Sequence, residues 1–299
     1  MTRHSPIAGP DAAGIRFSFE LFPPRTPEGL AQLDRVVDRL AALGPEGFSV
    51  THGAGGTTRD RTRGVVERVA ARTGLPVAQH LTCIGARRAE IDDEARALRA
   101  AGIRRIVALR GDPPAGGAPH PPGGGYRHAA DLVAGLMRIA DFDISVAAYP
   151  EVHPEAASAA ADLDNLRRKF DAGARRAITQ YCFDTDTVLR FVDRARAAGI
   201  DRPIVPGIMP VSHFGRLRRF SETCGAAIPR WLAGMFEGLD ADPARRAGLA
   251  AAVATEQCRR LAAAGLTDFH IYSLNRAEVS VALCRALRPE RTGAGPQAA

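Results

Sequence analysis

Short runs of apolar residues alternate along the chain with longer stretches in which apolar residues recur at every third or fourth position. The short runs are typical of buried strands, and the longer stretches are typical of amphipathic helices. Glycine or proline stands at most junctions, where one element is expected to end and the next to begin. We predict eight strands, at 16–22, 47–53, 76–83, 104–111, 143–150, 175–183, 202–209 and 267–274.

Eight evenly spaced strand–helix units in a chain of 299 residues predict an α/β fold, a (β/α)8 TIM barrel. The alternative is a doubly wound open sheet. Residues 212–264 are expected to hold an extra helical segment before the last strand. We predict a single catalytic barrel at 15–288, with flexible tails at 1–14 and 289–299, and no regulatory domain after the barrel.

Composition narrows the class of protein. Hydrophobic residues make up 45% of the chain, which is enough for a large core, but no run of 18 apolar residues predicts a membrane span. The N-terminus lacks the apolar region of a secretory signal. The five cysteines form no CxxC pair and the histidines show no metal-binding spacing, so we expect free thiols, no metal and a cytoplasmic protein.

The net charge of +7 comes from 40 Lys+Arg against 33 Asp+Glu, and the basic residues are spread along the predicted helices. Aromatic residues make up only 6% of the chain, whereas nucleic-acid sites favour basic stripes interleaved with aromatic residues. A surface that attracts anionic small molecules is therefore favoured. A nucleic-acid-binding protein without enzymatic activity is the contrasting hypothesis.

Polar residues collect where the predicted strands end. In a TIM barrel these ends and the loops after them form the active site, while strand interiors are aliphatic. The pattern therefore predicts an active site built from Glu20, Thr51, His52, His80, Thr82, Arg110, Asp112, Tyr149, Glu151, Gln180, Tyr181, Met209 and Tyr272.

Eight segments between residues 17 and 278 together carry a family resemblance. They are FSFELFPPRT, SVTHGAGGTTRDRT, HLTCIG, IVALRGD, VAAYPEVHPEA, DLDNLRRKFDAGARRAITQYCFD, PGIMPVSHF and FHIYSLNRAE. In this order they resemble methylenetetrahydrofolate reductase of the bacterial single-domain type. The resemblance implies tightly bound FAD, which takes hydride from NADH or NADPH. The hydride then passes to 5,10-methylenetetrahydrofolate in a ping-pong reaction, giving the 5-methyltetrahydrofolate used for methionine synthesis.

The resemblance assigns the role of general acid to Glu20. Protonation of the folate N10 opens the five-membered ring, so that an iminium forms at N5 before hydride arrives. A carboxyl group does this near neutral pH when apolar surroundings raise its pKa, and Phe19 and Phe22 are expected to supply them. The alternative is an ordinary surface glutamate or one paired with Arg25.

The segment Arg110-Gly111-Asp112 follows a predicted buried strand. Gly111 is expected to let the backbone approach a flat ligand, and Arg110 to reach an anionic part of the cofactor. The resemblance places Asp112 in catalysis beside the flavin and the pterin, where a carboxylate lowers the redox potential and accepts hydrogen bonds. The alternative is a salt bridge or a turn cap at the strand end.

Further FAD contacts follow from the resemblance. A ring at position 149 can stack on a planar cofactor, and the imidazole at position 153 can bind its polar parts; a core tyrosine and a loop histidine are the alternatives. The contact at position 52 is expected through the backbone, because histidine replaces an aromatic residue there. Apart from the segment 110–112 and the helix described next, the cofactor residues implied are His52, Ala54, His80, Tyr149, His153 and Ala156.

One predicted helix carries four polar residues at helical spacing, namely Asp162, Asn165, Arg168 and Lys169. The resemblance assigns Asp162 to a ribose, Asn165 to an amide or adenine edge, and the two cations to diphosphate oxygens. A solvated charged face is the alternative, since most helices of this composition carry one.

For the folate, the resemblance implies Gln180 as a partner of the pterin, Phe214 as a stacking ring for the aminobenzoate or the nicotinamide, and Arg276 as a partner of the glutamate tail. The full predicted substrate set is Glu20, Thr51, Asp112, Gln180, Phe214, Tyr272 and Arg276. Core packing is the alternative role for the two aromatic rings.

Several points stay open. The resemblance favours NADH over NADPH, while the direction of the reaction, the polyglutamate preference and the oligomeric state are undecided, a homo-oligomer being compatible with the sequence. The Gly- and Pro-rich segment 113–131 is either a lid or a linker. A related flavin barrel with another electron donor, or one working in the oxidative direction, is the alternative enzyme.

Overall fold

The computed structural model describes residues 14–52, 59–112 and 124–288. The predicted tails, except for Gly14, and most of the Gly- and Pro-rich segment lie outside the described residues. Ala54 lies outside them as well.

The described strands are all parallel and form one nearly closed sheet, so the predicted TIM-barrel fold is confirmed. Their order around the barrel is β7-β6-β5-β4-β3-β2-β1-β9-β8. The strands are β1 (Arg16–Leu21), β2 (Gly47–Val50), β3 (Val77–Thr82), β4 (Arg105–Leu109), β5 (Asp143–Ala148), β6 (Arg176–Thr179), β7 (Ile204–Val205), β8 (Gly207–Ile208) and β9 (Asp268–Tyr272).

The predicted strand 202–209 is divided by Pro206 into β7 and β8. Proline lacks the N–H that a central strand would donate, and its carbonyl accepts a hydrogen bond from His270 N at 2.9 Å. β7 pairs with β6 while β8 pairs with β9. The interrupted strand therefore joins the two edges of the sheet and brings the barrel to closure.

Helices surround the sheet, and no helix within the described ranges has both the length and the apolar character needed to cross a membrane. The predicted extra segment 212–264 holds three helices, Phe214–Cys224, Arg230–Phe236 and Pro243–Ala263, and a 3-10 turn at Leu239–Ala241. The helices are α1 (Pro27–Ala41), α2 (Arg59–Thr73), α3 (Arg88–Ala100), α4 (Ala129–Ile139), α5 (Ala159–Asp171), α6 (Thr185–Ala197), α7 (Phe214–Cys224), α8 (Arg230–Phe236), α9 (Pro243–Ala263) and α10 (Glu278–Leu287).

The alternation in β1 shows how the sequence builds the barrel. Phe17, Phe19 and Leu21 are buried in the main core, where they pack with the apolar face of α1 and the other outer helices. Their neighbours Ser18 and Glu20 occupy the opposite, inner face, because successive side chains of a strand point to opposite sides. The inner face at the carboxyl end of β1 is therefore polar.

A second core lies under the extra helices. Tyr181, Phe214 and Phe236 belong to it, and the two phenylalanine rings are stacked 6.2 Å apart. Asp240 fixes the start of α7, since its carboxylate accepts hydrogen bonds from Phe214 N at 2.8 Å and Gly215 N at 2.9 Å. The extra segment thus positions α7 beside the barrel.

Gly207 is the tightest point of the closed barrel. A Cβ at this position would lie 2.2 Å from the carbonyl oxygen of Thr179 and 2.6 Å from the ring of Tyr272. The missing side chain leaves space for the Tyr272 hydroxyl, which donates a hydrogen bond to Thr179 O at 2.7 Å.

We therefore expect Gly207→Ala to lower the free energy of unfolding by about 2 kcal/mol or more, because the added methyl group forces backbone and ring apart. The matched control is Gly248→Ala in α9, where a Cβ would meet nothing within 4 Å. That change should stabilise the protein by about 0.5–1 kcal/mol, since alanine is the better helix former. Equal stabilities of the two variants in urea unfolding would contradict this account of the closure.

Candidate active site

A cavity of about 650 Å³, called the larger cavity below, lies at the carboxyl ends of β4 and β5 and beside the first turns of α4 and α5. Ten residues predicted to hold a cofactor line it, so the structure brings most of that set together. They are Arg110, Gly111, Asp112, Tyr149, His153, Ala156, Asp162, Asn165, Arg168 and Lys169.

Arg110 forms a two-pronged ion pair with Glu155, in which Nη2 lies 2.9 Å from Oε1 and Nη1 contacts Oε2. The pair raises the pKa of Arg110 and lowers the pKa of Glu155. The alternative of a strand-end salt bridge is thus realised, with a partner that sequence reasoning missed. Both groups line the cavity, so an anionic ligand there would meet an arginine that already has a carboxylate partner.

Gly111 has a left-handed backbone, with φ of 84°. A Cβ there would lie 2.8 Å from Ile84 Cγ2 and 2.9 Å from Thr82 Cβ, which belong to the end of β3 and the following loop. The glycine is therefore required first by packing against the neighbouring strand. This reason differs from the predicted approach to a flat ligand, although Gly111 does line the cavity.

Tyr149 and His153 contact each other edge to face, with ring centroids 4.5 Å apart. Burial, followed by the nearby charges of Asp112 and Asp162, raises the pKa of Tyr149 to about 12. His153 Nδ1 accepts a hydrogen bond from Glu155 N at 3.0 Å, and its backbone N donates to Asp162 Oδ2 at 3.0 Å. These bonds fix the loop after β5 against the first turn of α5.

The predicted polar face of α5 turns towards the cavity, where Asp162, Asn165, Arg168 and Lys169 all contribute to its lining. Lys169 is the only lysine of the chain. Its ammonium is buried and donates a hydrogen bond to Ala147 O at 2.9 Å. Burial lowers the pKa of Lys169 to about 8, against an opposing effect of Asp162.

Glu20 lies in a separate polar cluster on the inner face of the barrel. Its Oε2 is 3.5 Å from His80 Nε2 and 3.7 Å from His270 Nε2. Ser49 Oγ lies between the two imidazoles, 3.2 Å from His80 Nε2 and 3.3 Å from His270 Nε2. Ser18 Oγ completes the cluster, 2.7 Å from His270 Nδ1.

The surroundings predicted for Glu20 were wrong. Phe19 lies on the opposite face of β1 and Phe22 is 43% exposed, so neither ring encloses the carboxylate. The neighbours are two buried histidines, and these rather than Arg25 are the basic side chains within 4 Å of the carboxylate among the described residues. Burial lowers the pKa of His80 to about 4, which keeps this imidazole neutral at physiological pH.

The other inner-face residues of the predicted substrate set lie at neighbouring strand ends. Tyr272 pairs in register with Glu20, and burial raises the pKa of its hydroxyl well above the ordinary value. Gln180 follows β6, and its Oε1 accepts a hydrogen bond from Tyr181 N at 3.0 Å. Thr51 follows β2 and its N donates to Leu21 O at 2.8 Å, while the half-buried His52 comes next.

A smaller cavity of about 320 Å³ lies between α7 and the loops after β1, β8 and β9. Exposed apolar side chains dominate it: Phe22, Phe220 and Leu274 are 43%, 51% and 40% exposed. Phe220 stacks on Tyr181, with ring centroids 6.0 Å apart and planes inclined by 23°. Arg276 and Arg216 supply positive charge to the same cavity.

Comparison with known proteins decides the family. The sequence profile described as methylenetetrahydrofolate reductase matches residues 8–288. The chain belongs to the methylenetetrahydrofolate reductase family. It is therefore an enzyme, an oxidoreductase of folate metabolism, and the family resemblance found in the sequence is confirmed.

Similar relatives span nearly the whole chain. The 5,10-methylenetetrahydrofolate reductase of Salmonella typhimurium is 53% identical over 274 residues, covering 91% of this chain and 90% of its own. The Escherichia coli protein of the same name is 52% identical with the same coverage. A Clostridium thermocellum protein, described as binding two copies of 5-methyl-5,6,7,8-tetrahydrofolic acid, shares the fold with a TM-score of 0.62 at 15% identity, over 91% of this chain and 93% of its own.

The structure favours the core alternative for Phe214. Its side chain is buried and stacks on Phe236, so its ring is not presented to either cavity. Six positions further along α7, Phe220 is exposed at the smaller cavity instead. The sequence does contain a sign that Phe220 is exposed, because this apolar residue follows two arginines on the polar side of the helix.

Among the residues of the larger cavity that were also missed, three carry polar side chains, namely His128, Asp131 and Glu155. His128 and Asp131 begin α4, where the backbone N of His128 donates a hydrogen bond to Asp131 Oδ2 at 3.0 Å. Spacing of this kind is a helix-start signal and carries no sign of a ligand. Glu155 could have been suggested by its place in the loop that follows Tyr149.

A titration of Lys169 tests the electrostatics of the larger cavity. Because this is the only lysine, isotope-labelled lysine gives one side-chain NMR signal in the ligand-free protein. We expect it to titrate near pH 8, and near the ordinary value of about 10.4 once the chain is unfolded. A folded-state value close to the unfolded one would contradict the buried placement.

The lowered pKa of Lys169 makes the free energy of unfolding depend on pH. Between pH 8 and 10.5 the unfolded chain binds more protons at Lys169 than the folded chain, so the free energy of unfolding rises with pH. Lys169→Met should therefore stabilise the ligand-free protein by up to about 3 kcal/mol near neutral pH, a gain that shrinks above pH 8. Arg167→Met, on the exposed side of α5, is the control and should show no such dependence.

Proposed function

We propose that this enzyme reduces 5,10-methylenetetrahydrofolate to 5-methyltetrahydrofolate, using bound FAD and a reduced nicotinamide in a ping-pong reaction. The observation that carries the proposal is the cavity of about 650 Å³, lined by ten residues predicted for the cofactor in a chain of this family. Its volume is typical of cofactor sites. We propose NADH as the reductant, with NADPH as the alternative that the experiments below distinguish.

The donor set of the larger cavity fits a dinucleotide. The two cations of α5 provide charge for diphosphate oxygens, Asp162 offers a carboxylate to a ribose, and Asn165 offers an amide to an adenine edge. The buried Lys169 adds a further argument, because its ammonium lacks a carboxylate partner within salt-bridge distance among the described residues. An anionic ligand at Lys169 would offset the cost of burying that charge.

When bound, the flavin would accept hydride from the nicotinamide and deliver it to the folate. Before that delivery the protein must supply a proton to N10 of the folate, because cleavage of the bond between N10 and the one-carbon unit leaves the bonding electron pair on that nitrogen. Glu20 is the group we assign to this step. Tyr272 pairs in register with Glu20, and its ring contacts that of His270 edge to face, with centroids 5.6 Å apart.

The cluster around Glu20 provides a path for the proton. Ser18 Oγ lies 2.7 Å from His270 Nδ1, and the other ring nitrogen of His270 faces the Glu20 carboxylate at 3.7 Å. We propose that a proton given up by Glu20 is replaced through His270 and Ser18 once the carboxylate moves within hydrogen-bond distance of His270.

The substrate roles that we propose follow from the residues at the two cavities. Asp112 is exposed at the edge of the larger cavity, where its carboxylate can accept hydrogen bonds from a pterin amino group. Gln180 is the second proposed pterin partner. Phe220 replaces Phe214 as the proposed stacking ring, and Arg276 in the smaller cavity is the proposed partner of the glutamate tail.

The product is a methyl donor, and we propose methionine synthesis as its use. We also propose that the enzyme acts in the cytoplasm, a placement supported by five cysteines that are all free thiols. A homo-oligomer is compatible with this proposal.

The purified protein should show the visible absorption band of an oxidised flavin. Anaerobic addition of NADH should bleach the band, and 5,10-methylenetetrahydrofolate should then restore it, because hydride passes from donor to acceptor through one cofactor. Stopped-flow comparison of NADH with NADPH identifies the donor. A colourless protein, or a flavin that only another reductant bleaches, would contradict the proposed reaction.

Glu20→Gln should keep the reduction of the flavin by NADH, which needs no acid. The folate half-reaction should slow by about 10²–10⁴-fold, since the proton donor is lost. The same substitution at the exposed Glu278 is the matched control and should leave both half-reactions unchanged. A Glu20→Gln enzyme that reduces folate at the wild-type rate would remove Glu20 from the mechanism.

A further inference from the structure

The side chain of Asn275 holds the backbone of Phe22 at both of its polar groups. Phe22 N donates a hydrogen bond to Asn275 Oδ1 at 3.1 Å, and Asn275 Nδ2 donates to Phe22 O at 2.8 Å. The regular pairing of β1 with β9 ends at Glu20 and Tyr272. The amide of Asn275 therefore continues the pairing beyond the last residues of the two strands.

This arrangement requires an unfavourable backbone. Leu274 and Asn275 are consecutive left-handed residues, with φ of 51° and 52°. Such conformations cost roughly 1–3 kcal/mol for a residue other than glycine, although asparagine tolerates them better than most. Leu274 is also 40% exposed, so burial of its side chain offsets little of the cost. The loop after β9 keeps this shape because its hydrogen bonds to β1 stabilise it.

The chain around Glu20 is held from both sides. On the β9 side, Ser273 Oγ donates to Glu20 O at 2.6 Å, and Asn275 holds Phe22. On the β2 side, Thr51 N donates to Leu21 O at 2.8 Å. Glu20 is thus followed by two residues whose backbones are fixed, which restricts the direction of its carboxylate towards His80 and His270.

The same clamp shapes the smaller cavity. Phe22, Leu274 and Arg276 all line that cavity, and each lies on or beside one of the two segments that Asn275 joins. Release of the clamp would let the Glu20 carboxylate and the cavity wall move together.

We propose that Asn275 is a positioning residue for the half-reaction with folate, acting through Phe22 and the backbone of Glu20. The inference rests on the proposed function, in which Glu20 supplies the proton to the substrate. Asn275 itself touches backbone and has no chemical role. Its contribution is to hold the acid and the wall of the substrate cavity in one fixed relation.

Asn275→Gly is the decisive variant, because glycine removes both hydrogen bonds while the left-handed backbone stays unstrained. We expect the folate half-reaction to slow by about tenfold to a hundredfold, the loss typical of a misplaced catalytic group. Flavin reduction at saturating NADH should be unchanged. Hydrogen exchange at the Phe22 amide should become faster, which reports the loss of the clamp without any measurement of activity.

Asn275→Asp is the conservative variant. It keeps an acceptor for Phe22 N but replaces the donor to Phe22 O with a second oxygen. We expect the Phe22 amide to stay protected and the folate rate to lie between those of the wild type and Asn275→Gly. This graded result would show that the two hydrogen bonds act separately, and it covers the case in which Asn275→Gly fails to fold.

Thr73→Val is the matched control. Thr73 also makes one donated and one accepted side-chain bond to backbone, to Val69 O at 2.8 Å and from Leu75 N at 3.2 Å, but at the opposite rim of the barrel. The Thr73→Val variant should be less stable than the wild type, while both half-reactions stay at the wild-type rate. If Asn275→Gly behaves in the same way, the clamp is only structural and the proposal is overturned.

The two proposals fail differently. A wild-type protein whose flavin is not reduced by NADH, or not reoxidised by the folate, would refute the proposed function. The exchange rate of the Phe22 amide would still show whether the clamp exists. A normal wild-type reaction together with an unaffected folate rate in Asn275→Gly would refute the positioning role alone.

Discussion

The alternation of side chains along β1, between its parallel neighbours β2 and β9, is the constraint on which the site depends. It sends Phe17, Phe19 and Leu21 into the core with the helices and leaves Ser18 and Glu20 inside the barrel. The register pairs Glu20 with Ser49 on one side and with Tyr272 on the other. A shift of one residue would bury the carboxylate in the apolar layer and turn a phenylalanine towards the two histidines.

The barrel keeps the Glu20 carboxylate apart from the cations of α5. The Glu20 carboxylate lies among serine and histidine side chains on the inner face, whereas the cations lie on α5 beside the ends of β4 and β5. Lys169 shows the separation most clearly, because the chain uses arginine at every other basic position and places its only lysine in a buried site. A compact ammonium fits where the planar guanidinium, with its five donors, would leave bonds unmade.

Strand periodicity, a local signal, predicted the eight-unit barrel, whereas most residues of the larger cavity were suggested by the family resemblance rather than by any local pattern. The sequence did not predict the interruption at Pro206, which follows from the need to close the sheet. It also missed Glu155, and for Phe214 the structure favours core packing over the stacking role. Those outcomes depend on contacts between distant segments, such as the packing of Phe214 on Phe236, and no local pattern encodes them.

The position of the substrate relative to Glu20 tests the account most directly. A crystal structure of the chain with FAD and an unreactive folate analogue would measure it. The account predicts the Glu20 carboxylate within hydrogen-bond reach of N10, about 2.6–3.2 Å or through one water, with His270 still facing the same carboxylate. A folate bound with N10 away from Glu20, beside another acid or beside solvent alone, would contradict it.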